Sequence, residues 1–327
     1  MRQDPVFIFG AHKSGTSLLR NLLDGHPQLF TLPFESHFFQ YYGHWVNNNY
    51  RYSTPKSYSR DQLVHVFTDF IQANNDSDDR FGDAFVHGRF NVESFRDLFA
   101  DLNENHTIAQ AFGLFIEASH RSLYGNALEE ETVWVEKSVE HAEFAVEIRK
   151  AFPGSRFIHI VRNPYSNLVS LRRYKSLGPG YPLIHRVLQT LENSYYHLER
   201  NQRIFENYLV VKYEDLVTDP TEWMTNIASF LNIEFNEVLL NPTHMGEPWK
   251  GNSTTGTPFS GVSDQELESW KDEIDPMEAY YVNRMFPFIV EKYGYAELPY
   301  AGGFWKRNKG EEMRRYLANR FYKYYLT

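Results

Sequence analysis

The chain has 327 residues, a net charge of −9 and no cysteine. That length suffices for one large α/β core, the acidic balance disfavours nonspecific nucleic-acid binding, and the missing thiols exclude disulfides, zinc thiolates and cysteine nucleophiles and fit a reducing compartment. The first apolar strand begins near residue 5, which leaves no room for a signal peptide, and no apolar run approaches the roughly 20 residues that span a bilayer; a cytoplasmic protein is expected.

The first element in chain order is also the most informative. Val6 to Phe9 reads as a buried strand, GAHKSGTS (Gly10 to Ser17) as a glycine-bracketed turn, and Thr16 to Leu23 as an apolar-periodic helix. Strand, turn and helix N-terminus together form an anion cradle, because the backbone N–H groups and the helix dipole point at one spot. The triphosphate loop G-x-x-x-x-G-K-[ST] places its lysine after the second glycine. Here Thr16 stands at that position and the lysine has moved into the turn as Lys13, so this is not an ATP-hydrolysing loop as it stands. After the GHP stop at Gly25 to Pro27, the run Leu29 to Leu32 returns the chain to the sheet edge and delivers Glu35 and His37, both candidates for a general base. A carboxylate buried there is expected to have a raised pKa.

Residues 39–131 match no motif and read as a helical, aromatic-rich insertion; Tyr41, Tyr42, Trp45, Tyr50, Tyr52 and Tyr58 suit stacking on sugar rings. TVWVEKS (Thr132 to Ser138) alternates as a strand with Lys137 at its end, followed by a helix-like stretch from His141 to Phe152. Phe157 to Val161 is the next buried strand. Asn163 then suits an N-cap and Pro164 the first helical position, which puts Arg162 at the strand's carboxyl end and Ser170 inside the helix eight residues on. A guanidinium fork suits a phosphate monoester. The strand ends in Arg, where a phosphotransferase usually has the Asp that holds Mg²⁺, so no metal is implied. Gly10, Lys137 and Arg162 all fall at carboxyl ends of strands, where open α/β sheets bind ligands.

YLVVKYEDLVTDP (Tyr208 to Pro220) reads as a last strand with a short helix after it, and PWKGNSTTGTPFSG (Pro248 to Gly261) as a polar, glycine-rich loop before a helical turn at Glu268 to Trp270. The tail from Phe304 to Thr327 carries seven Lys/Arg against two Glu among seven aromatics. It either packs across its own domain or touches an anionic membrane surface or a partner.

These motifs together resemble the sulfotransferases that use 3′-phosphoadenosine 5′-phosphosulfate (PAPS) and release adenosine 3′,5′-bisphosphate (PAP), nearest in pattern to the tyrosylprotein and the bacterial and carbohydrate enzymes. The resemblance covers residues 5–38 and 132–295. It implies a P-loop-like three-layer α/β fold with a central, mostly parallel sheet flanked by helices, in one domain over 1–298 with the insertion at 39–131 and a tail at 299–327. It assigns His12, Lys13, Ser14, Gly15, Thr16 and Ser17 to the donor's 5′-phosphosulfate, Arg162 and Ser170 to its 3′-phosphate, and Tyr213, Lys250, Asn252 and Ser253 to further donor contacts. Glu35 matches the catalytic Glu of the tyrosylprotein enzymes and His37 the His of the cytosolic small-molecule enzymes; Lys137, with Ser253, matches the group that steadies the transferring sulfuryl. Two departures stand out. Val139 replaces a Pro found in several relatives, and Tyr174 replaces a second phosphate-binding Arg, leaving Arg172 or Arg173 to serve. The implied reaction is metal-independent transfer to a hydroxyl, first of a carbohydrate and alternatively of a tyrosine, a small phenol or an alcohol. A kinase with a variant loop and a noncatalytic donor-binding protein are the rival readings.

Overall fold

A computed structural model describes residues 4–44, 58–77, 86–175, 184–252, 261–265 and 267–299. Five strands form one sheet: β1 (Val6–Gly10), β2 (Leu29–Thr31), β3 (Val133–Lys137), β4 (Arg156–Val161) and β5 (Tyr208–Lys212), in the order β2-β3-β1-β4-β5, with every pair parallel. The sheet is therefore wholly parallel, and helices cover both of its faces, which is why these strands read as near-continuous apolar runs.

The pleat divides β1 between two cores. Val6 and Ile8 point with Val133, Val135, Ile158, Ile160 and Val211 into a layer completed by Leu18, Leu19, Leu22 and Leu23 of α1 (Thr16–Leu23). Phe7 and Phe9 point the other way, into a larger aromatic layer. That layer takes in Phe67 and Phe70 of α2 (Arg60–Asp76), Phe95 and Phe99 of α3 (Val92–Phe99), and Phe112 and Phe115 of α4 (Ile108–Tyr124). The helices of the inserted stretch thus share one continuous core with the sheet. Capping boxes at Ser59/Gln62 and Thr107/Gln110 start α2 and α4, satisfying helix N-terminal donors that would otherwise lack partners.

The helix-like stretch expected from His141 to Phe152 is a 3₁₀ turn (Val139–Phe144) running into α5 (Ala145–Ala151). Asn163 caps α6 (Pro164–Lys175) as anticipated, its Oδ1 accepting from Tyr165 N at 3.0 Å. α7 (Ile184–Ile204) packs on α6 and leads to β5, and α8 (Tyr213–Thr218) and α9 (Pro220–Leu231) come next. Beyond α9 the described chain holds only a two-residue hairpin, β6 (Thr243–His244) with β7 (Glu247–Pro248), a 3₁₀ turn at Glu237–Leu240 before it and another at Ser269–Asp272, and α10 (Pro276–Met285) and α11 (Pro287–Lys292). No helix among the described residues is long and apolar enough to cross a membrane. The basic tail, Trp45, Tyr50, Tyr52 and Ser253 lie outside the described residues.

Phe112 is the centre of the aromatic layer. Its ring stacks on Phe38 with centroids 4.1 Å apart and planes 3° apart, and it also meets Phe7 and Trp134. Truncating it leaves a cavity walled by rigid rings that cannot collapse inward. Phe112→Ala is expected to destabilise the chain by about 3–5 kcal/mol, read as a lowered midpoint in urea unfolding.

Candidate functional site

β1 has β3 and β4 as its immediate neighbours, so the carboxyl ends of these three strands lie side by side and the segments leaving them enter one crevice. The turn after β1 is possible only with glycine at two positions. A Cβ on Gly10 would lie 2.6 Å from Ser14 Oγ and 2.9 Å from Ile160 O; Gly15 has φ 105° and a Cβ there would lie 2.4 Å from the Tyr213 ring. Between them Lys13 adopts φ 62°, an unusual left-handed conformation for a residue with a side chain.

β4 and α6 lock this turn from one side. Arg162 Nη1 donates to Lys13 O at 2.9 Å while its guanidinium lies 4.5 Å above the Tyr213 ring, and Asn167 Nδ2 donates to His12 O at 2.8 Å. Lys13 Nζ reaches over the Tyr174 ring at 4.4 Å and donates to Asn252 O at 3.3 Å. Two donors in this cradle, Ser14 Oγ and Arg162 Nε, are buried without a hydrogen-bond partner, and no side chain caps the N-terminus of α1. Buried donors are normally paired, and both are of a kind that anionic groups bound here would complete.

The second half of the site lies where β3 ends. Lys137, 1 % exposed, donates from Nζ to Glu35 Oε1 at 2.5 Å. Glu35 Oε2 is 3.3 Å from His37 Nε2, and Glu140, in the turn after β3, lies 3.6 Å from His37 Nδ1 and accepts from His12 Nε2 at 2.9 Å. Burial opposes ionisation of Glu140, yet His12 and then His37 outweigh it and hold the carboxyl well below its ordinary range. Glu35, His37 and Glu140 bring donor atoms within 4.8 Å of one another, the one group among the described residues spaced as a metal set would be. Lys137 already supplies positive charge on Glu35.

Beneath this cluster Glu136 is fully buried. It accepts from Ser36 Oγ at 2.7 Å, Ser138 Oγ at 2.5 Å and His141 Nδ1 at 2.8 Å. It ties the segment carrying Glu35 and His37 to β3.

The sulfotransferase family's sequence profile matches residues 5–237, more than half of the chain. The protein belongs to the sulfotransferase family. No curated protein sequence matches it. Among solved structures, a sulfotransferase domain from the curacin biosynthetic pathway is 24 % identical with a TM-score of 0.58, covering 91 % of this chain and 100 % of that one. The sulfotransferase domain of the Synechococcus PCC 7002 olefin synthase is 21 % identical with a TM-score of 0.57, covering 91 % and 96 %. At these identities the likeness is one of fold.

Within this sulfotransferase the turn residues His12 to Ser17, Arg162, Tyr213 and Asn252 come together with Lys137 and Glu35 in one region. Asn252 joins through its backbone carbonyl, and the His12 ring faces Glu140. Ser170, nearly buried, lies one helical turn beyond Asn167 on the same face of α6. Lys250 is exposed. Of the two arginines offered in place of the missing phosphate-binding Arg, Arg172 Nε lies 2.7 Å from Glu278 Oε1 and Arg173 forms a two-pronged pair with Glu273. Tyr174 instead carries the Lys13 ammonium on its ring.

Asn167, Glu136 and Glu140 escaped the sequence reading. A carboxylate inside an apolar strand, with Ser two and His five residues on, was the available signal for Glu136. Burial would raise its pKa, but His141 and the serine hydroxyls outweigh that and lower it from the ordinary 4.5. Because the folded carboxyl releases its proton at lower pH than the unfolded one, its contribution to stability is complete above the unfolded value and is lost as pH falls through the folded value. Glu136→Gln is therefore expected to flatten the acid limb of a stability–pH curve measured by urea unfolding, the wild type losing more stability than the variant below about pH 4.5.

Proposed function

We propose that this sulfotransferase moves the sulfuryl group of PAPS to an acceptor hydroxyl by in-line transfer without a metal. The observation that carries the reading is the juxtaposition of an anion cradle with unfilled buried donors and a carboxylate held by a buried lysine. When bound, PAPS supplies an activated sulfuryl group attached to a good leaving phosphate. Lys13 and the N–H groups of residues 15–17 are fit to hold that phosphate as charge develops on it, the Ser14 N–H expected beside them being taken by Ala11 O at 3.1 Å, and Arg162 with Ser170 to take the 3′-phosphate that distinguishes PAPS from common adenine nucleotides. Tyr213, Lys250, Asn252 and Ser253 are assigned to further donor contacts.

Glu35 is the proposed base. Its ionised carboxylate accepts the acceptor's hydroxyl proton; Lys137 is assigned to the transferring sulfuryl group as a fixed positive charge, and Ser253 to the same group as a neutral hydroxyl donor. His37, in contact with Glu35, is the competing base. Catalysis then rests on alignment and preorganised charge. For the acceptor we propose a carbohydrate, supported by the tyrosine-rich segment beside the base; Tyr41, 39 % exposed, presents part of its ring to solvent. A cytoplasmic setting is part of this proposal, and the basic tail is assigned to membrane, partner or intramolecular contact.

Two measurements test this reading. Arg162→Ala is expected to weaken PAP binding in calorimetry by about tenfold or more and adenosine 5′-monophosphate binding by clearly less, the smaller loss coming from the Lys13 carbonyl it also holds; equal weakening of both removes Arg162 from the 3′-phosphate. Labelled PAPS, screened in EDTA against glycans, phenols, alcohols and tyrosine peptides, is expected to label a glycan, and Glu35→Gln to keep PAP binding but lower transfer roughly 10²–10⁴-fold. An active Glu35→Gln beside an inactive His37→Ala reassigns the base, and labelling that needs Mg²⁺ and ignores the 3′-phosphate makes the protein a kinase.

A further inference from the structure

The two halves of the site are joined by a residue that no motif marks. Glu140 lies in the 3₁₀ turn after β3, its side chain only 11 % exposed. One oxygen, Oε1, accepts from His12 Nε2 at 2.9 Å across 128 residues of chain. The other, Oε2, is buried without a hydrogen-bond partner and stands 3.6 Å from His37 Nδ1.

Each histidine is fixed to one half of the site. His12 immediately precedes Lys13, and its carbonyl is held by Asn167. The Nε2 of His37 lies 3.3 Å from Glu35, its backbone N–H donates to Ser138 Oγ at 3.1 Å, and the Gln40 amide is 3.4 Å from its Nδ1. Lys137 faces the same cluster from β3 through Glu35, whereas Glu136 below it is occupied by Ser36, Ser138 and His141.

The backbone adds a second, independent observation. Only four non-glycine residues among those described have positive φ, and two of them are Lys13 at 62° and His37 at 44°. One adjoins a histidine that Glu140 holds, and the other is such a histidine. Strained conformations of this kind persist only where their surroundings over-determine them, and a buried carboxylate facing two imidazoles is a means of doing so. A misplacement of about 1 Å between reacting groups costs on the order of 10²-fold in rate, so the separation of the two halves is worth constraining.

We propose that Glu140 is a positioning residue that clamps His12 to His37 and so sets the separation between the donor-holding turn and the proton-accepting Glu35. The clamp rests on the sulfotransfer reading. It makes the two loops one body: an anion seated in the turn is felt at His37 through Glu140.

The test uses the full chain, ¹³C-labelled at histidine, titrated with PAP, the ring signals assigned from His12→Ala and His37→Ala. In the wild type the His37 ring signal is expected to shift as PAP fills the turn. In Glu140→Gln, which keeps the shape and removes the charge, PAP is expected to bind about tenfold more weakly and the His37 signal to stay still. The His12→Ala, Glu140→Gln double variant is expected to bind PAP no worse than the weaker single variant. His37 responding to PAP as strongly in Glu140→Gln as in the wild type overturns the clamp alone, as do fully additive effects of the two substitutions or a Glu140→Gln chain that merely melts earlier with PAP affinity and His37 response unchanged. Should Glu140→Gln fail to fold, the His37 response measured in His12→Ala decides the matter, its persistence counting against the clamp. A wild type that does not bind PAP at all overturns the donor reading, and the clamp with it.

Discussion

The turn that carries the chain from β1 into α1 is the constraint on which the rest of the site depends. It must reverse direction beneath the β4 backbone at Ile160 and against the Tyr213 ring, leaving no space for a side chain at residue 10 or 15. The same compression exposes the first N–H groups of α1 to the crevice and drives Lys13 into a left-handed conformation. Arg162 then serves two purposes. Its Nη1 holds the strained Lys13 carbonyl, and its Nε is buried without a hydrogen-bond partner. The guanidinium gains further stabilisation from the Tyr213 face, a favourable electrostatic contact between a cation and the ring's negative quadrupole. Donor-side binding and the integrity of the turn are therefore properties of the same few atoms.

The acceptor side is built on a different principle, the compensation of buried charge. Unpaired ions in a protein interior are costly, and removing one partner of a buried pair costs more than the pair contributes. Here Lys137 compensates Glu35, His141 compensates Glu136, and His12 and His37 face Glu140. The three carboxylates enter at two points in the chain, the segment after β2 and the end of β3, which the parallel β2-β3 pairing holds together. Glu136 plays the structural part, because its oxygens are consumed by serine hydroxyls and histidine. Glu35 has the disposition of a reacting group, with one oxygen on Lys137 and the other toward His37 at the edge of the site.

The aromatic layer on the opposite face of the sheet explains how a long inserted stretch can be accommodated without disturbing the site. Its helices α2, α3 and α4 do not form a core of their own; they close over Phe7, Phe9 and Trp134. Rings meeting edge to face or in offset stacks fill that volume at little conformational cost. Phe38 anchors the segment just after Glu35 and His37 into this layer, against Phe112 and Phe67. The packing of the insertion thus bears on the placement of the base.

The five strands, the cradle between β1 and α1, and the capped start of α6 were legible in the linear order of residues, because each is a local matter: side-chain alternation along a strand, glycine where backbones crowd, Asn and Pro where a helix begins. So was the likeness of Lys13, Arg162 and Glu35 to the residues of sulfotransferases. What no local pattern carried was pairing across the chain. Arg172 and Arg173 carry no mark of the Glu278 and Glu273 that α10 and the turn before it present to them, and Glu140 is an ordinary acid until β1 and β3 lie side by side and bring His12 against it. The sequence by itself determined the five strands, the turn after β1 and the start of α6; the tertiary structure alone decided which charges compensate one another, since the energy of an ion pair depends on separation and burial, and both are set only once distant segments pack together.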